Sequence, residues 1–256
     1  MKVFCFTVDD NIRFLKETVE QNLPSLFDHP YMAMLYRLHE RFGLKVQLNL
    51  FYRMEGFTLS QMPDSYRREW EENTDWLKLS FHSDRENVRP YETSVYGEVY
   101  GDCQKVQREI LRFAGEASLA QTATLHYCLA TAEGLQALKD NGVKGLLGLY
   151  ADTVSYGMEE SEADLLRTGE MVRKNGITFA PIDIVLNCFS REQILRQLSA
   201  MQHRARLWVM IHEQYFYSDY PVYQPDFEEK LTATFSYLVE KGYQSSFFEE
   251  LLSTEQ

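Results

Sequence analysis

The chain has 256 residues, 45% of them hydrophobic, which is enough apolar material for one large core. A formal net charge of −12 argues against a phosphate-backbone partner and against an anionic membrane surface, so neither nucleic acid nor membrane is an expected partner. No segment reaches the length of a membrane span, and the apolar run after Met1-Lys2 is too short for a signal-peptide core, so the expected compartment is the cytoplasm.

Short β-rich runs alternate with longer stretches of helical period. The first strand, Lys2–Val8, ends in two adjacent carboxylates, Asp9 and Asp10, followed by Asn11. A helix is predicted over Tyr31–Phe42, with Met34, Leu35, Leu38 and Phe42 on one face and Gly43 as its left-handed stop. Lys45–Phe51 is the second strand and carries Asn49 near its end; Leu77–Phe81 is the third, and His82 follows at once. Glu98–Ala114 has helical period through Val99, Val106, Ile110 and Phe113. Ala123–Tyr127 reads as a strand with His126 near its end, Thr131–Asn141 as a helix and Lys144–Tyr150 as a strand. The acidic stretch 152–175 is either a lid over the barrel mouth or a solvated hairpin or helix. A strand follows at Ile177–Ala180 or Ile182–Leu186, then a helix over Ser190–Met201 with Ser190 as N-cap and Gln193 in the capping-box place. Leu207–Ile211 ends in His212 and Glu213, Gln224–Glu240 is the last helix, and Gly242–Ser246 is a weak final strand.

Seven or eight strand-then-helix units predict a single α/β domain over residues 1–256, a (β/α) barrel of parallel strands in a distorted TIM-like form. An open doubly wound sheet is the second choice, but no glycine-rich turn follows the first strand and no phosphate loop occurs. Cys5, Cys103, Cys128 and Cys188 are scattered without zinc-finger or redox-motif spacing and are read as reduced, mostly buried thiols.

Three of the six histidines, His82, His126 and His212, stand at strand C-termini, as do Asp9 and Asp10. In a barrel those ends share the face that holds the active site. Two neighbouring carboxylates are tolerable there if a divalent cation takes one of them. Asp10, His82 and one more ligand, either Glu86 four residues on or His126 or His212, make a mixed oxygen and nitrogen set suited to Zn²⁺, and also to Co²⁺, Ni²⁺, Fe²⁺ or Mn²⁺. The plain alternatives are that Asp9-Asp10 caps the next helix and that each strand-end histidine is a satisfied core residue. His29, His39 and His203 lie away from that face and are read as structural.

The stretches "FTVDDN", "LSFHSDRE" and "VMIHEQY" together resemble the NodB-like polysaccharide deacetylases. The resemblance implies a distorted (β/α) barrel, with Asp9 as general base, Asp10 and His82 as metal ligands and His212 as general acid, oriented by a carboxylate such as Asp183. Glu86 stands where the family has its second histidine. "LHYCLAT" stands where an arginine motif is expected, with His126 there as an extra ligand and Arg85 or Arg89 as substitute braces for the base. The implied activity is metal-assisted removal of an N-acetyl or related amide-linked group from a carbohydrate or small molecule, with Asn49, Arg85, Glu213 and Tyr215 on the substrate. Aromatic residues after His212, Tyr215 to Phe227, serve either a sugar or ordinary packing. Two other readings are a binding-only degenerate barrel and a glycoside hydrolase that pairs Asp9 with Glu213 or Asp183.

Overall fold

The computed structural model describes residues 2–86, 91–148 and 156–252. Strand β1 (Lys2–Asn11) is buried along almost its whole length, as the unbroken run Val3-Phe4-Cys5-Phe6 demands of a strand covered on both faces. Helix α1 (Arg13–Glu20) follows directly, then α2 (Pro30–Phe42), which Gly43 closes at φ 61° as its sequence requires. Strand β2 (Val46–Phe51) leads into the short hairpin β3 (Arg53–Met54) and β4 (Phe57–Thr58), and α3 (Arg67–Glu72) leads into β5 (Leu77–Ser83). Next come α4 (Tyr96–Phe113), β6 (Thr122–Thr124), α5 (Ala132–Asp140) and β7 (Gly145–Leu147). Helix α6 (Glu160–Arg167), β8 (Val172–Lys174), β9 (Ile177–Ala180) and β10 (Ile184–Val185) complete the third quarter. Helix α7 (Arg191–Ala200), β11 (Arg206–His212), α8 (Phe227–Glu240), β12 (Tyr243–Ser245) and α9 (Phe248–Leu252) finish the described chain.

The parallel strands succeed one another in sequence order. β1 pairs with β2, β2 with β5, β6 with β7 and β7 with β9. β5 meets the segment before β6 through a parallel bridge at Leu79 and Leu119, and Ser80 Oγ donates to the Thr122 carbonyl at 2.6 Å. The two expectations for the sixth strand are both realised. Ile177–Ala180 pairs with β7, Pro181 to Asp183 bends the chain, and Ile184–Val185 pairs with β11, which pairs in turn with β1. One bent strand thus joins the two sheets and completes a (β/α) barrel of seven parallel strands among the described residues. β12 adds to the start of β1 at Lys2 to Phe4, where the weak final strand was expected.

Several boundaries differ from expectation. The fourth barrel strand stops at Thr124, and the chain turns at His126–Cys128, where Tyr127 and Cys128 take left-handed φ of 61° and 52°. The expected strand over Lys144–Tyr150 is seen at Gly145–Leu147; residues 149 and 150 lie outside the described residues. Of the segment 152–175, residues 152–155 also lie outside, while 156–175 contain α6, which buries Ala163 and Leu166, and β8, an antiparallel partner of β9. No described helix is long and apolar enough to cross a membrane.

Candidate metal centre

The end of β1 is irregular. The register with β2 shifts between Val8 and Asn11, and Asp10 adopts φ 61°, a conformation that costs a residue with a Cβ roughly 1–2 kcal/mol. That bulge separates the surroundings of the two carboxylates. Asn49, projecting from the next strand, donates its amide to Asp9 Oδ1 at 2.6 Å. Asp10 Oδ1 instead meets His82 Nε2 at 2.9 Å and His126 Nδ1 at 3.3 Å. The two histidine nitrogens are 3.2 Å apart. Asp10 Oδ2 accepts from Gln214 Nε2 at 2.6 Å.

His82 sits at the end of β5 and is buried, with its Nδ1 on the Thr124 carbonyl. A carbonyl can only accept, so Nδ1 carries hydrogen and Nε2 is left to meet a proton or a cation. His126 comes from the turn after β6, its ring packed 4.2 Å from Tyr127, and its buried Nε2 has no hydrogen-bond partner among the described residues. Phe51 lies 5.1 Å from both imidazoles and dries the site.

These three donor atoms fit a cation. Ligands bound at about 2.0–2.2 Å lie about 2.8–3.6 Å from each other in tetrahedral or octahedral arrangements. The separations of 2.9, 3.2 and 3.3 Å fall at that spacing. Electrostatics agree: burial alone would push Asp10 up, yet hydrogen bonds from His126 and His82 hold it well below the usual carboxylate range. Burial opposes charge on His82 too, but Asp9 and Asp10 outweigh it and raise its pKa. His126 is pulled down by burial, with the charge of His82 adding to that. For Asp9 burial wins and its carboxyl is raised, with His82, His212 and Asn49 offsetting only part.

His212 ends β11, where the register sets it beside Asp9. Its Nδ1 meets Asn187 Oδ1 at 2.9 Å. The expected brace, Asp183, lies elsewhere: it is buried in an ion pair with Arg204 and accepts from the Trp208 N–H at 2.9 Å. Those contacts fix it lower on the strand pair, away from the strand end. Glu86 is exposed on the wall of a cleft of about 570 Å³ that Asp10 also lines, and it is not among the three grouped donors. Partial desolvation of its carboxyl by the cleft wall, with the Asp10 charge adding to it, raises its pKa. Arg85 is likewise exposed on the cleft wall, and Arg89 lies outside the described residues.

Two residues expected on substrate are committed elsewhere. Asn49 is fully buried and holds Asp9. Glu213 is fully buried and accepts from the N–H groups of Ile12, Arg13 and Phe14 at 2.7, 3.1 and 2.7 Å, and from the Tyr217 hydroxyl. It is the N-terminal cap of α1, a role the sequence alternative had given to Asp9 and Asp10. Tyr215 is half-buried, its ring 6.2 Å from that of His212. Asn187, Gln214 and the Thr124 carbonyl were not foreseen. The only sequence signal was that Gln214 stands two places after His212.

No protein-family model and no curated protein matches the sequence, whereas solved structures match the fold. A family 4 acetyl xylan esterase from Clostridium thermocellum, solved with a cobalt ion, is 12% identical with a TM-score of 0.57; the match covers 99% of this chain and 91% of that one. A variant, with restored activity, of a CE4 family pseudoenzyme of Bacillus anthracis is 13% identical with a TM-score of 0.52, covering 98% of this chain and 67% of that one. The chain has the fold of the family 4 carbohydrate esterases, the NodB-like polysaccharide deacetylases. A 4-α-glucanotransferase from Thermococcus litoralis, 12% identical with a TM-score of 0.60, shares it over 98% of this chain but only 40% of its own length. This chain brings His126 to the three grouped donors from the turn after β6 and leaves Glu86 exposed.

Proposed function

We propose that this chain is a metal-dependent hydrolase that removes an N-acetyl or related amide-linked group from a small carbohydrate or related molecule. The observation that carries the proposal is the buried triangle of Asp10, His82 and His126 with Asp9 alongside. Its oxygen and two nitrogens suit Zn²⁺ first, with Co²⁺, Ni²⁺, Fe²⁺ and Mn²⁺ as alternatives. All four cysteines are thiols, which fits a cytoplasmic setting.

A bound ion supplies Lewis acidity toward a carbonyl oxygen and acidity to a water. Asp9, held by Asn49 and kept basic by burial, takes the proton of the attacking water. His212, beside Asp9 at the end of β11, gives a proton to the leaving amine. Gln214 holds the outer oxygen of Asp10, so that Oδ1 stays turned toward the two imidazoles. The carboxylate-pair reading loses its partners, since Glu213 and Asp183 are both spent on buried bonds. A binding-only barrel is the second reading, favoured by the neutral amide that holds Asp9 and by the lack of an arginine in "LHYCLAT".

Elemental analysis after incubation with Zn²⁺, Co²⁺ or Mn²⁺, paired with acetate release from acetylated amino sugars, tests the proposal. About one ion per chain in the wild type, none in His82→Ala, and acetate released only by the former are expected. A metal-loaded chain that releases no acetate would move the reading to the binding barrel, and a chain that takes up no ion would end it.

A further inference from the structure

We propose that Asn187 is the positioning residue of His212, fixing the imidazole so that Nδ1 holds a permanent hydrogen and Nε2 carries the transferable proton. The inference rests on the hydrolytic reading above and gives His212 its working tautomer. Its basis is register and contact. β10 pairs with β11 at Ile184 with Val209 and at Val185 with Met210, and the helical turn Leu186–Cys188 that follows β10 carries Asn187 to the end of β11. There Asn187 Oδ1 lies 2.9 Å from His212 Nδ1. Asn187 is 9% exposed, and its carbonyl accepts from Gln224 Nε2 at 2.7 Å, which fixes the turn. Its Nδ2 faces the Cys188 sulfur at 3.9 Å, which leaves the oxygen as the end turned to His212.

An amide oxygen accepts in both charge states of the ring. The Nδ1–H bond therefore persists while the Nε2–H bond breaks, its electron pair stays on Nε2 and the proton forms a new N–H bond on the leaving amine. A carboxylate there would stabilise the imidazolium more than the neutral amide does. The other charged groups that act on His212 are Asp9 and Asp10 from β1 and Glu86 from beyond β5, with the Tyr215 ring beside it.

Long-range ¹H–¹⁵N correlation on the metal-free chain with ¹⁵N-histidine reads the tautomer directly, with His212 assigned by its loss in His212→Gln. The wild type is expected to show the Nδ1–H form and Asn187→Leu to lose that preference. In the loaded enzyme Asn187→Leu should lower kcat about 100-fold with KM within about twofold. Asn187→Asp should recover most of kcat and move the alkaline limb of the pH profile up by about one unit. An Nε2–H wild-type ring, or Leu and Asp variants both equal to wild type in kcat, would overturn the proposal. If Asn187→Leu fails to fold, the wild-type spectrum and the Asn187→Asp profile decide. An Nδ1–H ring in a wild type that releases no acetate would support Asn187 as the group that sets His212 and would sink the hydrolytic reading alone.

Discussion

Asp9 and Asp10 are neighbours in sequence and opposites in chemistry. In a regular strand their side chains would point to opposite faces. The left-handed φ of Asp10 breaks that alternation, so both carboxylates work at one strand end with different partners. Asp9 is bound by a neutral amide and is raised by burial; Asp10 is bound by two imidazoles and held low. Asp9→Asn should therefore keep the ion and lose about 100- to 10,000-fold in turnover, while Asp10→Asn should lose the ion itself. Elemental analysis beside acetate release separates the two; full turnover in Asp9→Asn would remove it as the base. Residues of this kind were legible because a carboxylate or histidine at a strand end has few structural uses. The amides that hold them were not, since Asn49, Asn187 and Gln214 have many uses and only contact distances single them out. Glu213 was misread for the converse reason: next to a reactive histidine in sequence, it faces inward and serves a helix.

That helix, α1, shows what a local reading of elements misses. Ile12 at its start offers no capping side chain, so nothing in the sequence from Asn11 to Glu20 announces a beginning. The cap arrives from Glu213, about 200 positions away, and satisfies three of the orphan N–H groups. Glu213→Gln would turn an amide NH₂ toward donors and should cost about 2–4 kcal/mol, a fall in Tm of about 5–12 °C for a chain of this size. Burial pushes the Glu213 carboxyl up to about 7, against the lowering effect of its four donors. Folding then takes up a proton there between the ordinary glutamate value near 4.5 and about 7, so its contribution to stability falls as pH rises through that window and levels off above it. Melts at pH 5 and pH 8 should show the wild type losing more stability than Glu213→Gln across the interval. An equal loss in both would mean the group does not titrate there. The other elements that escaped the sequence have similar causes. The fourth barrel strand ends before a turn with left-handed residues, and the sixth is split by a bend into two pieces that pair with different neighbours.

At the scale of the molecule, the alternation of β-rich and helical stretches was enough for the barrel, because it reflects a repeated unit and tolerates errors of several residues at each boundary. Closure needed the structure: only the pairing of β9 with β7 and β10 with β11 shows how the last edge is joined. The same topology gives a bound ion mechanical meaning. Its donors come from β1, β5 and the turn after β6, so one ion ties together strands that lie on either side of β2 and beyond β5. The ligand geometry exists only in the folded chain, so binding adds to folding stability by linkage. At a free ion concentration 100 times the dissociation constant the gain is about 2.7 kcal/mol, which for a chain of this size raises Tm by about 5–10 °C. Chelation should reverse the rise. His82→Ala should melt at one temperature with or without the ion, whereas Asp9→Asn should still respond, because its carboxylate touches Asn49 and not the donor triangle. If the His82→Ala melt rose with added Zn²⁺ as far as the wild type does, the ion would be binding elsewhere, and the triangle would be an ion pair of the fold.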